Sequence, residues 1–333
     1  MSKKGFYLIG LYLFLLCIPL FTKDLYHIHI LIVTMFHIIL ALGLNFVMNT
    51  AQVPLCQAAF VGIGAYTSTL LVMRLNFSFW LSLPIAGILT GILGIIVGLP
   101  TLRIKGIYFA MAAFALGEII RLLFIGWGGL FGGANGISAI PSPNPIPIPF
   151  LGQIEFETKV PYYYFTLVVL TLCLIIIYRL THSRIGRACT ASRESDLLAQ
   201  CTGIDIMGYK VFAFAVNSFF AGIVGGIYAH YFHFIGPQDF TFWQSVEYLV
   251  FIVMGGSGTI GGPIIGSIFL TFLPEFLRMA VEFQVVLYGL ALILVLLFMP
   301  QGIVGLLVKV SNRLARSSYR NKKDENTGSA RIK

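Results

Sequence analysis

The chain has 333 residues, of which 58% are hydrophobic and only 11% are charged. Average soluble domains carry about 25% charged residues, so the composition argues against a soluble enzyme or a nucleic-acid-binding protein. The net charge is +9, but eight of the 22 basic residues lie in the segment 309–333. A basic tail on an apolar body is typical of a membrane protein with a positive cytoplasmic side.

Apolar runs that could cross a membrane follow one another along the chain, since a spanning helix needs about 20 mainly apolar residues. The first run lacks a small-residue cleavage site, which favours a retained helix over a signal peptide. The third, eighth and ninth runs are short or interrupted by glycine, so the count is eight to ten. The ten runs lie near 6–22, 27–48, 53–73, 79–100, 106–127, 161–179, 209–232, 243–256, 261–277 and 284–300.

The basic residues give the orientation. With the N-terminus inside, 17 of the 22 fall on the cytoplasmic side, four fall outside, and Arg121 lies within a span. Cytoplasmic loops carry an excess of Lys and Arg, so we expect an all-α, multi-pass protein of the plasma (inner) membrane with about ten spans and both termini cytoplasmic. Residues 1–308 form the predicted transmembrane domain, and 309–333 form a basic cytoplasmic tail.

The outer connection, 128–160, is rich in glycine and contains alternating prolines between Pro141 and Pro149. Alternating prolines favour an extended polyproline II path. We interpret this segment as a stiff external spacer; the alternative is a docking ledge for an external partner.

The inner connection carries a predicted cytoplasmic segment at 184–204. Ser192 is a candidate N-cap and Gly203 a candidate C-cap, which predicts a short helix at about 193–202. An interfacial lipid-binding helix usually has a face rich in Lys and Arg, whereas this one is mixed, which favours a protein partner. Its apolar stripe is Leu197, Leu198 and Cys201, and its charged face is Arg193, Glu194 and Asp196.

Glycines at helical spacing predict close packing between spans, because small residues let helix backbones approach. They are Gly87, Gly91, Gly94 and Gly98, the pair Gly222 and Gly226, and the pair Gly262 and Gly266.

The segment Gly256–Gly261 matches the dinucleotide fingerprint GxGxxG, but the surrounding βαβ pattern is absent and Pro263 follows. A better interpretation is a break between two short helices. Non-helical backbone at membrane depth must be satisfied by protein or by a water-filled cavity, so Gly256, Gly258 and Gly261 are candidates for an inner gate or a tight helix turn.

Ionisable residues within spans are candidate functional residues. Glu118 and Arg121 are three residues apart and can pair on one helix face, and Glu247 lies in the eighth run. They are either substrate-path residues or a structural ion pair with an interfacial carboxylate. No nucleophile–base set, metal-ligand spacing or Walker A sequence is present, so we expect neither an enzyme nor a cofactor or metal site, and any ATP-hydrolysing subunit is a separate chain.

An ordered set of motifs resembles the permeases of branched-chain amino acid ABC importers, most closely their "M" type. The resemblance runs from about residue 30 to 308. Its motifs are Gln57–Tyr66, Leu102–Phe109, Phe114–Arg121, Gly132–Gly136, Ile185–Ala188, Arg193–Asp196 with Gly203, Met254–Pro263 and Pro300–Ile303.

The resemblance implies a second related permease, two cytoplasmic ATP-binding subunits and an external substrate-binding protein as partners. It also implies that 184–204 couples to the ATPases, although this segment departs from the usual Glu-Ala-Ala pattern by reading Glu194-Ser-Asp-Leu-Leu-Ala199. The expected function is uptake of branched-chain or related amino acids; the alternatives are a permease for urea or short amides, or an ion-coupled secondary transporter. The candidate coupling residues are Arg187, Arg193, Glu194, Asp196 and Gly203.

Overall fold

The structure, a computed structural model, describes residues 19, 24–148, 152–156, 158–201, 203, 205–277, 286, 289, 290, 293, 297 and 302–305. This part of the chain is mainly α-helical, as the composition predicts, with four short strands and two 3-10 helices, Gly133–Asn135 and Pro237–Phe240. In chain order its helices are α1 (Leu25–Met48), α2 (Gln57–Leu75), α3 (Phe79–Thr101), α4 (Ile107–Gly126), α5 (Gly128–Phe131), α6 (Lys159–His182), α7 (Arg184–Glu194), α8 (Asp196–Cys201), α9 (Ile206–Phe232), α10 (Phe242–Gly255) and α11 (Gly261–Leu277).

Six of these helices, α1 to α4, α6 and α9, are long and apolar enough to cross a membrane by length and composition. They correspond to six of the ten predicted runs. The shorter apolar helices α10 and α11 correspond to two more. The run 6–22 and most of 284–300 lie outside the described residues, so the count of ten stays a prediction.

Helix α9 is the centre of the packed helices and contacts α1, α2 and α3. The predicted glycine packing is confirmed, because Gly87, Gly91, Gly94 and Gly98 of α3 all face α9. The approach of α2 is closer still: a Cβ on Gly64 would overlap the Gly222 backbone, with the Gly222 carbonyl carbon 2.7 Å away. Backbone atoms cannot move aside as a side chain can, so glycine is required where these helices meet.

Helix α2 begins beside the middle of α9. The buried side chain of Asn217, about 17 Å along α9, donates from Nδ2 to Gln57 Oε1 at 2.5 Å, and Gln57 is the first residue of α2. The preceding residues 49–56 are therefore non-helical at that depth. The Ala58 N–H donates to Ser245 Oγ of α10 at 3.0 Å, so one of the open backbone donors at this helix N-terminus is satisfied by another helix.

The outer connection differs from the predicted polyproline path. Strand β1 (Ile137–Ser138) pairs antiparallel with β4 (Phe234–Ile235), and β2 (Ile146–Ile148) pairs with β3 (Gly152–Ile154). Proline is tolerated there because both strands of a two-stranded ladder are edges.

Histidines at the outer end of α9 fasten this connection. His230 donates from Nδ1 to the Pro141 carbonyl at 2.7 Å, and His233 donates from Nδ1 to the Ile140 carbonyl at 2.8 Å. At the start of α3, the Phe79 N–H donates to Asn144 Oδ1 at 3.0 Å.

The chain divides into two compact units, residues 1–249 and 250–333. The first contains the helices from α1 to α9 and the start of α10. The second, in its described part, contains the end of α10 and α11. In the second unit, Gly255 and Gly266 pack closely, since a Cβ on Gly266 would lie 2.9 Å from the Gly255 nitrogen.

Candidate functional site

The predicted cytoplasmic segment forms two helices instead of one. Helix α7 begins at Arg184 because Ser183 is its N-cap and accepts a hydrogen bond from the Ile185 N–H at 3.1 Å. The prediction of one helix at 193–202 capped by Ser192 is wrong, since Ser192 lies inside α7. Extended backbone at Ser195 ends α7, and α8 follows. Gly203, the candidate C-cap, has a left-handed backbone conformation with a φ angle of +79°.

Asp196 contacts residues from three separate parts of the chain. Its carboxylate accepts hydrogen bonds from Lys210 Nζ at 2.9 Å and from Ser192 Oγ at 2.7 Å, and it lies 3.5 Å from Lys105 Nζ. Lys210 belongs to the first turns of α9, and Lys105 immediately precedes α4. Asp196 therefore connects α7 and α8 to two membrane helices of its own chain.

The pKa of Asp196 reflects these contacts. Burial acts to raise it, but the hydrogen bonds from Lys210 and Ser192 and the positive charges of Lys210 and Lys105 outweigh burial, and the pKa lies below its ordinary value of 3.8. The carboxylate is thus ionised at neutral pH and stays paired with Lys210.

The outward side of the segment combines charge with exposed apolar surface. Arg187, Arg193 and Glu194 are exposed, while Leu197 and Leu198 of α8 are 72% and 68% exposed. Large apolar side chains beside charges form the kind of surface that a protein partner covers. We call the exposed side chains of α7 and α8 the docking platform.

Glu118 and Arg121 form an ion pair in the middle of α4. Arg121 Nε lies 3.0 Å from both carboxylate oxygens of Glu118, and Arg121 Nη2 donates to Oε1. The predicted pairing is therefore confirmed. Glu247 lies on α10, and no ion pair found among the described residues includes it.

The predicted helix break is also present. Helix α10 ends at Gly255, Gly256 and Gly258 have positive φ angles of 113° and 85°, and α11 begins at Gly261. Thr259 Oγ1 accepts a hydrogen bond from the Gly262 N–H at 3.0 Å. A side chain of the turn therefore satisfies one backbone donor at the start of α11. The role of this turn as a gate stays a prediction.

Two lysines, Lys105 and Lys210, lie close to Asp196, although the sequence indicates only that they fall on the predicted cytoplasmic side. Lys105 lies two residues before α4 and Lys210 lies in the first turns of α9, and nothing in their spacing predicts that both reach Asp196. A lysine in the first turns of a long apolar helix does suggest a buried counter-ion, and Lys210 has a side chain that is only 5% exposed.

Long apolar helices packed around glycines, with an ion pair within one of them, are features of a multi-pass membrane protein. Comparison with known proteins gives the family. Residues 26–298 match the family described as branched-chain amino acid transport system, permease component. The chain belongs to this family, whose members are transport components of ABC importers and not enzymes by themselves.

Individual relatives agree with this assignment. The chain is 32% identical over 289 residues to the high-affinity branched-chain amino acid transport system permease protein LivM of Escherichia coli (strain K12), covering 81% of this chain and 68% of LivM. It is 28% identical over 274 residues to the autoinducer 2 import system permease protein LsrC of Salmonella typhi, covering 78% and 74%. It is 33% identical over 142 residues to LivH, another permease of the branched-chain system of E. coli, covering 42% and 44%. No solved structure matches the chain.

Proposed function

We propose that this permease carries branched-chain amino acids inward across the plasma (inner) membrane, driven by separate ATP-hydrolysing subunits. The observation that carries the proposal is the docking platform on a chain of this family: exposed leucines and mixed charges at a connection that the basic residues assign to the cytoplasm. Urea or short amides are the alternative cargo.

The proposed assembly contains a second related permease, two cytoplasmic ATPases and an external substrate-binding protein. The similarity to both LivM and LivH supports a pair of related permeases. The docking platform would contact an ATPase through Arg187, Arg193, Glu194 and the exposed leucines, with Gly203 ending the segment. Asp196 would act differently, by holding the platform on the membrane helices.

The proposed topology has ten spans and cytoplasmic termini, supported by the distribution of the basic residues. A direct test uses Cys201, which is exposed, whereas Cys56, Cys173 and Cys189 are buried. In a Cys17→Ser background, a membrane-impermeant maleimide should label Cys201 in inside-out vesicles and not in right-side-out vesicles. The opposite pattern would contradict the topology.

The transport pathway is proposed to involve Glu118, Arg121 and Glu247, with Gly256, Gly258 and Gly261 forming an inner gate. These residues place polar groups and non-helical backbone within an otherwise apolar chain, which membrane proteins use at sites of transport.

The function is tested by reconstituting the chain with its partner subunits in proteoliposomes and measuring ATP-dependent leucine uptake. Charge reversal at both Arg193 and Glu194 should reduce uptake and ATPase copurification, while Asp24→Asn, an exposed change outside the platform, should not. ATP-independent uptake by this chain alone under an ion gradient would instead show a secondary transporter.

A further inference from the structure

Glu118 of the ion pair lies on the side of α4 that the described part of the chain covers least. Phe109, Ala113 and Gly117, spaced by four residues, face the neighbouring helices; Gly117, for example, lies against the Cys56 backbone, where a Cβ would be 3.4 Å from the Cys56 Cα. On the opposite side lies a stripe at helical spacing. It consists of the exposed residues Met111, Ala115 and Leu122 and the half-buried Glu118.

A charged side chain in such a stripe is costly unless water or a polar group contacts it. Residue 118 is about 17 Å from the start of a 20-residue helix, close to its middle. In hydrocarbon, ionised side chains at this depth each cost about 2.5–3.5 kcal/mol on translocon scales. The stripe around Glu118 therefore faces a water-filled pathway or a polar ligand during transport, and not only lipid.

The pair keeps hydrogen-bonding capacity after its internal contacts are made. Glu118 and Arg121 bond through Nε and Nη2, and no contact of Arg121 Nη1 with another described residue is found. The side chains are 32% and 19% exposed. The free guanidinium edge can donate to the two oxygens of a carboxylate, and the Glu118 oxygens have lone pairs that can accept from an ammonium group. A neutral ion pair with one free donor edge and one free acceptor edge complements a zwitterion.

Two further observations mark this depth as a binding region. The non-helical backbone that precedes α2 reaches Gly117, and the buried Gln57 amide nitrogen beside it has no hydrogen-bond partner in the described part of the chain. One turn from Glu118, Phe114 contacts Phe242 edge-to-face, with ring centroids 4.6 Å apart. The rings give apolar surface next to the charges.

We propose that Glu118 and Arg121 form a station for the transported amino acid, with Glu118 binding its α-ammonium group and Arg121 its α-carboxylate. Phe114 and Phe242 contact its apolar side chain. The inference rests on the proposed amino acid cargo and deepens it, because it assigns recognition to this chain in addition to the external binding protein. A contact with the second permease is the competing occupant of the same stripe.

The experiment uses the complete transporter in nanodiscs, with labelled leucine and three competitors: leucine, leucinamide, which lacks the carboxylate, and 4-methylpentanoate, which lacks the ammonium group. The wild-type complex should prefer leucine over both analogues. Glu118→Gln should weaken leucine binding about tenfold or more, as expected for loss of one charge-assisted hydrogen bond, and remove the discrimination against 4-methylpentanoate. Arg121→Gln should remove the discrimination against leucinamide instead. Asp24→Asn should change neither.

The double variant Glu118→Gln/Arg121→Gln replaces the ion pair with a neutral amide pair. It tests the same proposal if a single variant misfolds because one charge is left unpaired. It should assemble with its partner subunits at normal yield and bind leucine poorly. Leucine binding equal to wild type, or loss of the second permease from the purified complex, would overturn the station. A wild-type complex that takes up no branched-chain amino acid would overturn the proposed function, and this is measured before any variant is made.

Discussion

The contact between Asp196 and Lys210 makes a quantitative prediction about how firmly α8 is held. Asp196→Asn keeps the size of the side chain but removes its charge. The amide can still accept from Ser192, while the largely buried Lys210 ammonium loses its counter-ion. We expect α8 and the end of α7 to open more often, with the rest of the chain unchanged.

The magnitude follows from the contacts. A hydrogen bond to a charged group contributes about 1.5–3 kcal/mol. Asp196 is 20% exposed, which screens part of this, and the exposed Lys105 adds at most about 1 kcal/mol. A net loss of about 2 kcal/mol corresponds to roughly a 30-fold increase in local opening.

Hydrogen exchange of the permease in nanodiscs measures this opening directly. Amide protection in 195–201 should fall about 30-fold in Asp196→Asn, and combining it with Lys210→Met should cost less than the sum of the single changes. The matched control is Glu194→Gln, an exposed carboxylate in the same segment. Equal protection in Asp196→Asn and wild type, or an equal loss in Glu194→Gln, would refute the reasoning.

The same contact predicts a pH dependence. Since the pKa of Asp196 is lower in the folded chain than its ordinary value of 3.8, its contribution is complete above that value and is lost as the pH falls through the lowered pKa. Protection of α8, corrected for intrinsic exchange rates, should therefore be constant between pH 7 and about pH 5 and decline only in stronger acid. A decline near neutral pH would assign the linkage to another group.

Three other changes test separate parts of the structure. Ser183→Ala removes the N-cap of α7 and should lower hydrogen-exchange protection of its first turn by about 1 kcal/mol; unchanged exchange would deny the cap. Replacing Leu197 and Leu198 together with serine should lower ATPase copurification without altering the permease's melting temperature. Gly64→Ala forces a Cβ into the α9 backbone and should destabilise the chain by about 1–3 kcal/mol or more, measured by thermal unfolding, whereas Gly126→Ala, with open space around it, should be tolerated.

Local patterns predicted much of this molecule. Apolar runs located the spans because each helix must satisfy its backbone within lipid. Glycine spacing predicted the packing side of α3, because small residues permit close approach, but it did not identify α9 as the partner. The pairing of Glu118 with Arg121 also followed from spacing on one helix. The sequence around Ser192 fits a helix N-cap. In the structure Ser192 lies inside α7, and its hydroxyl donates to the Asp196 carboxylate.

What the sequence could not predict depends on contacts between distant residues. Lys105, Asp196 and Lys210 come from three separate segments, and the depth at which α2 begins becomes visible only through the contact of Gln57 with Asn217. Strand β1 of the outer connection likewise needs its partner β4, which follows α9, and the proline pattern alone does not indicate this pairing.

These contacts together suggest how a cytoplasmic movement reaches the transport pathway. In the most apolar 18 residues of each helix, 67% of the residues of α9 are buried but only 17% of those of α4. Among the six spans, α4 is therefore the one that the described part of the chain covers least. Lys105, at the start of α4, lies beside Asp196 of the platform, and Glu118 lies farther along the same helix. A displaced platform would therefore pull first on α4 while the glycine-packed α2, α3 and α9 stay together. We accordingly expect Lys105→Gln to leave ATPase binding intact and to reduce leucine transport per ATP hydrolysed; an unchanged ratio would show that force travels through α9 alone.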